Sequence, residues 1–515
     1  MRTPRLALPA LLLLAFLPLG RTAAQAGHPH GNDQHTGDGR VKFATRCAAG
    51  AQPTLEHGVA LLHSFWYEAS EAAFEEAARL DPACAFAAWG QAMSRLHPLW
   101  TPPTPEESRA GLAAAEQAVR LSSSGSRERD YATAILGFFQ VFRDRGFRSG
   151  IFAWESTMAV VQARHPGDDE ARIFHALSLI AAGQQDPTDT TYARQRMAAR
   201  LLEPLVSRYP DHPGVAHYLI HAFDSPPLAA LARGAADQYA AIAPDVPHAL
   251  HMPSHIYTRL GLWREALASN QRSAEAGRRM EQREGWKGVW AQRLHAWDYL
   301  VYASLQLGQD SIARQLNDQA GQVTAVIPAN DLVGDYALAA IPARYALERE
   351  DWAGAATLPL RPAPAWPAAE ALTHFARAIG ASRSGNAALA RHEIDTLETL
   401  EKSLRQAGGP GTYWAGQAVI QRLAASGWLA ALQGDTAAAL QAGREAADIE
   451  DRTEKHPVTP GAPLPARELY ADLLLALHRP GEALANYRAA EVRQPNRART
   501  KRGIERAEAE LGARR

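Results

Sequence analysis

The segment Gly481-Glu482-Ala483-Leu484-Ala485-Asn486-Tyr487-Arg488-Ala489-Ala490, which is followed by Pro495-Asn496, decides the fold class. Its small residues recur at helical spacing, and the proline ends the helix. Elsewhere the chain repeats a related pattern, in which a glycine ends one helix and an alanine follows five residues later. The four copies are Gly261 and Ala266, Gly308 and Ala313, Gly385 and Ala390, and Gly434 and Ala439. The sequence therefore predicts a series of similar helical hairpins.

These hairpins resemble tetratricopeptide (TPR) repeats, in which two antiparallel helices pack through small residues. Ala232 and Ala266 are 34 residues apart, which is the period of that repeat. The interval between Ala266 and Ala313 is longer, at 47 residues, so loops or extended helices interrupt the array. No stretch of alternating β-branched residues argues for a sheet. We predict an all-α, TPR-like solenoid of antiparallel helix pairs.

The charge composition argues against two classes of partner. The 515 residues include 54 Lys or Arg and 55 Asp or Glu, which gives a net charge of −1. Because no field of one sign surrounds such a chain, we predict neither nucleic acid nor an anionic membrane surface as a partner. We interpret the dense basic run from Arg493 to Arg502 as a solvated capping helix.

The N-terminus has the pattern of an export signal. Arg2 and Arg5 precede an apolar run over residues 6–19, and Ala24-Gln25-Ala26 provides small residues for cleavage. We predict a signal peptide over residues 1–26, with an uncleaved anchor as the alternative, and a disordered leader over residues 27–40. The mature protein is then periplasmic or secreted, without a stable membrane span.

The rest of the chain divides into two arrays and a tail. We predict an N-terminal TPR-like array over residues 41–330, a C-terminal array over 331–498, and a charged helix or tail over 499–515. A Pro-rich insertion over residues 453–465 interrupts the second array.

Cys47 and Cys84 are the only cysteines. In an exported protein an even number of cysteines favours a disulfide, with two buried thiols as the alternative. They lie too far apart in sequence for a redox motif, so neither is predicted to be catalytic.

Five stretches of the chain carry a more specific resemblance. They are Leu62-His63-Ser64-Phe65-Trp66-Tyr67, Ala88-Trp89-Gly90, His97-Pro98-Leu99-Trp100, Pro213-Gly214-Val215-Ala216-His217-Tyr218-Leu219-Ile220-His221 and His248-Ala249-Leu250-His251-Met252-Pro253-Ser254-His255. These stretches resemble the exported bacterial TPR proteins, a family of unestablished biochemical function. The resemblance covers roughly residues 41–330 and implies a fold and a compartment, and no reaction.

Polar side chains recur at one face of three predicted helices, at spacings of three, four or seven residues. Because equivalent helices of a solenoid lie side by side, we predict that these side chains line one concave, ligand-binding groove. The nine residues are His217, His221, Asp224, His248, His251, His255, His295, Asp298 and Tyr302.

Three functions are compatible with this groove. The first is a scaffold that binds a protein or peptide partner; in it the histidines only fill space and form hydrogen bonds. The second is a metal site formed by His217, His221, His251 and His255, in which Asp224 or Asp298 is a ligand or orients a ring. Imidazole ligands suit Zn, Cu, Fe or Ni.

The third function is a hydrolase of unfamiliar type. Ser254 lies between His251 and His255, but the chain has no Gly-x-Ser-x-Gly elbow, no His-Glu-x-x-His motif and no nucleotide-binding fingerprint. No known catalytic motif therefore predicts an enzyme. Pro253 in this segment predicts that a helix begins there, and that residues 248–252 form a turn which leads into it.

Overall fold

The computed structural model describes residues 37–361 and 366–513. The predicted signal peptide and the first part of the predicted leader lie outside the described residues. Residues 37–40, which were assigned to a disordered leader, are packed: Gly39 is buried, and the Arg40 amide donates to the carbonyl of Asp211 at 2.9 Å. The ordered chain therefore includes residues before the predicted start at 41.

The described chain is almost entirely helical. Its helices are α1 (Gln52–His63), α2 (Tyr67–Leu80), α3 (Ala85–Ser94), α4 (Pro105–Leu121), α5 (Arg127–Arg145), α6 (Phe147–Arg164), α7 (Asp169–Gln184), α8 (Ala193–Val206), α9 (Pro213–Phe223), α10 (Arg233–Ile242), α11 (Pro247–His251), α12 (Pro253–Arg259), α13 (Trp263–Glu284), α14 (Ala291–Gln306), α15 (Asp310–Gly321), α16 (Leu332–Glu348), α17 (Trp352–Ala356), α18 (Pro367–Arg383), α19 (Ala387–Ala407), α20 (Gly411–Leu432), α21 (Thr436–Asp451), α22 (Ala466–Ala476), α23 (Pro480–Arg493) and α24 (Ala498–Ala513). A 3₁₀ turn (Ala229–Ala232) precedes α10, and β1 (Val289–Trp290) pairs in parallel with β2 (Val326–Ile327).

Consecutive helices pack against each other as antiparallel pairs, and the pairs stack, so the all-α, TPR-like solenoid is confirmed. The glycines of the sequence pattern occupy the turns within pairs. Gly261, Gly308, Gly385 and Gly434 have φ between +65° and +82°, a conformation that side chains disfavour. The alanine five residues after each of them is completely buried, which lets two helices approach closely.

The helix that begins at Pro253 is confirmed, whereas the turn before it is a five-residue helix, α11. Val246 is extended and Pro247 starts α11, so the chain makes two short helices with a break at Met252. A proline is acceptable in the first turn of each because its missing amide would have no partner there. The break gives His248 and His255 different directions of approach.

Buried apolar side chains form two main clusters, one over residues 41–341 and the other over 343–507. Helix α16 contributes to both, because Ile341 belongs to the first cluster and Ala343 to the second. None of the described helices combines the length and the apolar character needed to cross a bilayer.

Buried ion pairs tie the C-terminal end of the array to α14. Arg497 donates to the carboxylate of Glu468 at 2.9 and 3.1 Å and to the hydroxyl of Tyr302 at 2.5 Å, and it also pairs with Glu348 at 2.8 Å. Arg499 shares Glu468 at 3.0 Å. The expectation of a solvated basic helix is wrong at this end, since both arginine side chains are at most 2% exposed.

Cys47 and Cys84 are joined by a disulfide across 37 residues of sequence. The bond connects the chain before α1 to the residue that precedes α3, and it therefore encloses the first helical hairpin.

Replacing both cysteines by serine should lower the free energy of unfolding by roughly 4 kcal/mol, since loop closure then no longer restricts the unfolded chain. Urea unfolding of the two proteins measures the difference. Dithiothreitol should destabilise the natural protein to the same extent and leave the double variant unchanged; an equal effect on both would contradict the bond.

Glu468→Gln should lower the free energy of unfolding by about 3–5 kcal/mol at pH 7, because two buried guanidinium groups lose their shared carboxylate. Burial alone would raise the pKa of Glu468, but Arg497 and Arg499 lower it to about 2. A pKa lowered on folding stabilises the protein above the unfolded value of about 4.5 and loses that contribution as the pH falls toward 2.

The variant should therefore show a flatter stability profile between pH 4.5 and 2 than the natural protein, as measured by thermal unfolding. Glu482→Gln is the matched control, since Glu482 pairs with Arg479 at the surface and both side chains are at least 40% exposed. Equal profiles for Glu468→Gln and the natural protein would contradict the assigned role.

Candidate metal centre

Six histidines from four helices form two adjacent triads. The first triad consists of His217 and His221 on α9 with His248 on α11; the second consists of His251 on α11, His255 on α12 and His295 on α14. Within each triad the candidate ligand atoms all lie within 4.8 Å of one another, and every member is buried. The structure thus divides the four histidines predicted as one metal site between two triads, each completed by a third ring.

In the second triad two bare ring nitrogens face each other. His255 Nδ1 donates to the carboxylate of Asp224 at 2.9 Å, and His251 Nδ1 donates to Asn270 Oδ1 at 2.6 Å. The Asn270 orientation is set by its Nδ2, which donates to the carbonyl of Ala266 at 2.8 Å. Each neutral ring therefore carries its hydrogen on Nδ1, and the two Nε2 lone pairs point at each other across 3.0 Å.

Burial makes a proton between these two nitrogens unfavourable. It lowers the pKa of His255, which Asp224 raises in part, and Lys455 adds to the lowering. Burial and the neighbouring His255 together lower the pKa of His251 far below its ordinary value. A proton between the facing nitrogens is therefore disfavoured, whereas a metal ion could accept both lone pairs.

The first triad has a similar geometry, but the tautomer of one of its rings, His221, is not fixed. His217 Nδ1 donates to the carbonyl of His63 at 2.6 Å, which leaves its Nε2 bare. That atom lies 3.1 Å from His221 Nε2. Because no acceptor fixes His221 Nδ1 among the described contacts, His221 can carry its hydrogen on Nε2 and donate it to His217.

The third ring of each triad has unsatisfied nitrogens. Both ring nitrogens of His248 lack a hydrogen-bond partner among the described residues, and so does Nδ1 of His295. Both rings, together with His221 and His255, border one small cavity of about 20 Å³. That volume holds about one water molecule or ion, so the two triads share a single small space.

Asp224 connects this centre to the Pro-rich insertion. Lys455 of the insertion donates to Asp224 at 3.0 Å, and Arg259 donates at 2.8 Å. Burial would raise the pKa of Asp224, but these two cations and His255 hold it far below the ordinary value, so the carboxylate is ionised. Glu454 extends the network by pairing with Arg259 at 3.1 Å.

A separate buried network supports the first triad. Glu170 accepts from His63 Nε2 at 2.9 Å and from His212 Nε2 at 2.7 Å, and His63 Nδ1 contacts the hydroxyl of Tyr218 at 2.9 Å. Burial would raise the pKa of Glu170, but His212 and His63 lower it far below its ordinary value. Both His63 nitrogens have partners, so this group is a hydrogen-bonded support whose carbonyl orients His217.

The sequence did not single out Glu170, His212, Asn270 or Lys455. Among the residues that surround the triads, only His63 belongs to a stretch that the sequence analysis noted, the family-like stretch that begins at Leu62. The others come from helices and loops whose proximity to the histidines is a product of folding.

The structure does not bring Asp298 and Tyr302 to the histidines. Asp298 accepts from Arg344 at 3.1 Å, and Tyr302 binds Arg497. Nor do the predicted groove residues face an open surface. The Asp224 side chain is 8% exposed and the other eight residues are no more than 7% exposed, so the nine line an interior.

Ser254 does not form the nucleophile that a hydrolase needs. Its Oγ is buried and has no hydrogen-bond partner among the described residues. A serine nucleophile is activated by a base within hydrogen-bonding distance, and no such contact occurs at this position in the described part of the chain.

The fold and the site define a TPR-like helical-repeat protein with a buried, histidine-rich centre. No family model matches the chain, and no curated protein matches its sequence. Similar solved structures include the human IFIT1 dimer with PPP-AAAA (12% identity, TM-score 0.40, covering 89% of this chain and 91% of that one) and the P58(IPK) TPR domain (13%, 0.21, 91% and 99%). The APC/C hetero-tetramer Cut9-Hcn1 is also similar (12%, 0.35, 90% and 78%). At these TM-scores the likenesses carry no argument about partner or activity.

Asp224→Asn should destabilise the docked insertion, because Lys455 and Arg259 lose their buried counter-charge. We expect the free energy of unfolding to fall by about 3 kcal/mol or more, and hydrogen exchange over residues 452–465 to accelerate. Asp237→Asn is the control, since Asp237 pairs with Arg233 at the surface. Unchanged exchange in the insertion of Asp224→Asn would rule out the coupling.

Proposed function

We propose that the protein binds transition-metal ions at its two histidine triads. The observation that carries this proposal is the pair of Nε2 atoms of His251 and His255, which face each other at 3.0 Å while both Nδ1 atoms are held by oxygen acceptors. Metal-bound histidines commonly have this arrangement, with the outer nitrogen donating to a carboxylate, amide or carbonyl oxygen.

The distances fit an ion between the rings. Two nitrogens bound tetrahedrally at 2.0–2.1 Å from zinc lie about 3.3 Å apart, and the facing pairs are 3.0 and 3.1 Å apart. Small outward movements of the rings would therefore admit an ion. The orphaned nitrogens of His248 and His295 supply the third ligand in each triad.

The ligand set selects a group of metals. It contains imidazoles and no thiolate, because both cysteines form the disulfide. Zn, Cu, Fe and Ni suit such a site, while Mg and Ca prefer oxygen ligands. Three protein ligands leave one position of a tetrahedral ion open, which in metalloenzymes holds water or substrate. The shared cavity between the triads provides room for that ligand.

The geometry favours metal binding over the two other hypotheses. The nine predicted groove residues offer a peptide partner little surface in this conformation, because none of their side chains is more than 8% exposed. A hydrolase that uses Ser254 lacks the contact between nucleophile and base. The helical array is therefore proposed as the scaffold that holds the centre.

We also propose that the protein is exported to an oxidising compartment, where the Cys47–Cys84 disulfide is stable. The charged, apolar and small-residue pattern of residues 1–26 supports this proposal. Fractionation of expressing cells, with thiol alkylation before lysis, tests it. Reduced protein in the cytosolic fraction would count against export.

Elemental analysis of the untagged protein should find close to two transition-metal ions per chain. His251→Ala combined with His255→Ala should remove about one ion, and His217→Ala combined with His221→Ala the other. A chelator should lower the melting temperature of the natural protein because bound metal stabilises only the folded state.

His392→Ala is the control, because His392 is exposed on α19. Circular dichroism confirms that each variant remains helical. A natural protein that contains only traces of metal, and takes up no Zn, Cu, Ni or Fe on refolding in their presence, would refute the proposal.

A further inference from the structure

A second, larger cavity of about 750 Å³ lies beside the histidine centre. Segments that are far apart in sequence form its walls: the start of α2, the loop before α4, the chain around β1 and β2, and the first turns of α18 and α20. Its volume is in the range of cavities that hold small organic ligands. It shares Trp100 and His248 with the small cavity between the triads.

Tryptophans dominate the walls of this cavity. They are Trp66, Trp100, Trp290, Trp366 and Trp414. Tyr67 adds a further ring, whose centroid lies 5.5 Å from that of Trp100. The faces of such rings carry negative electrostatic potential, so a cluster of them attracts cations as well as apolar groups.

The charges on the walls have one sign. Lys and Arg account for 54 of the 515 residues, yet neither occurs among the described residues that line the cavity. Glu68, Glu107 and Asp331 do line it. Burial raises the pKa of Asp331 to about 6, and Glu68 is one of two carboxylates that add to the increase. The carboxylates therefore repel each other, and a positive ligand would relieve that repulsion.

Two polar atoms at the cavity have no partner. The Tyr67 hydroxyl and the Trp66 Nε1 are buried without a hydrogen bond among the described residues, and Tyr67 is only 4% exposed. A buried hydroxyl usually has a partner. Its oxygen can accept from an N–H group of a ligand.

Strained backbone occurs at the same place. Phe65 and His97, both at the cavity wall, have φ of +56° and +47°. Non-glycine residues adopt this conformation at a cost, and it recurs at ligand sites.

We propose that this cavity binds a small organic cation, an amine or quaternary ammonium compound with an aromatic or apolar body. The tryptophan faces hold the body and the cationic head, and Asp331 and Glu68 balance the charge. His248 of the first triad borders this cavity, but the inference does not depend on metal binding, because it rests on the tryptophans, the carboxylates and the unpaired Tyr67 hydroxyl.

Three probes of matched shape test the charge preference: 4-phenylbutylamine, 4-phenylbutanol and 4-phenylbutyrate. Calorimetry and quenching of tryptophan fluorescence on the full mature protein should show the amine binding about 10-fold more tightly than the alcohol, and the acid more weakly than both. A cation–aromatic contact together with a counter-charge is worth a factor of this order.

Asp331→Asn should weaken amine binding about 10-fold and leave alcohol binding unchanged. Asparagine still caps α16 as Asp331 does, so the fold should persist. Trp414→Phe should weaken the amine more than the alcohol. Trp428→Phe is its control, because both tryptophans are on α20 and equally buried, but only Trp414 lines the cavity.

Equal affinity for amine and alcohol, tighter binding of the acid, or no binding of any probe would overturn the proposal. The same titrations after metal removal separate it from the metal proposal: amine binding should persist in a chelated protein. A protein that binds metal and ignores the amine would overturn this inference alone.

Discussion

The carboxylate of Asp224 joins the histidine centre to the C-terminal half, and the geometry of both depends on it. It accepts from His255 on one side and from Lys455 and Arg259 on the other. A buried carboxylate is stable only when several donors surround it. Docking of the insertion and orientation of the His255 ring therefore both depend on the charge of Asp224.

A second set of buried charges fixes the position of that insertion. Arg344 on α16 donates to the carbonyls of Gly461 and Ala462 and to Asp298 on α14. Arg497 similarly links Glu468 to Tyr302. In a solenoid each helix pair contacts mainly its neighbours, so stacking alone does not fix the position of a distant insertion. These long-range contacts hold the insertion against the helices that carry the histidines.

Local patterns predicted the fold, because the information for it is local. A glycine and an alanine five residues later mark four of the helix pairs in sequence, and in the structure the glycine has a positive φ and the alanine is buried. The site was only partly predictable. The spacing of His217 and His221 predicted one shared helix face, and their Nε2 atoms lie 3.1 Å apart. The break at Pro253 separates His251 on α11 from His255 on α12, whereas His248 and His251 belong to different triads although both lie on α11. Lys455 and Asn270 reach the centre through contacts that leave no pattern in sequence.

The two triads differ in their surroundings. Asn270 and Asp224 fix the second triad from outside, and none of its members borders the large cavity among the described lining residues. His248 of the first triad borders both cavities. Under the metal proposal, an ion at the first triad would face the tryptophan-lined space, where its ligands could exchange. An ion at the second triad would lie between two rings that Asn270 and Asp224 hold in place.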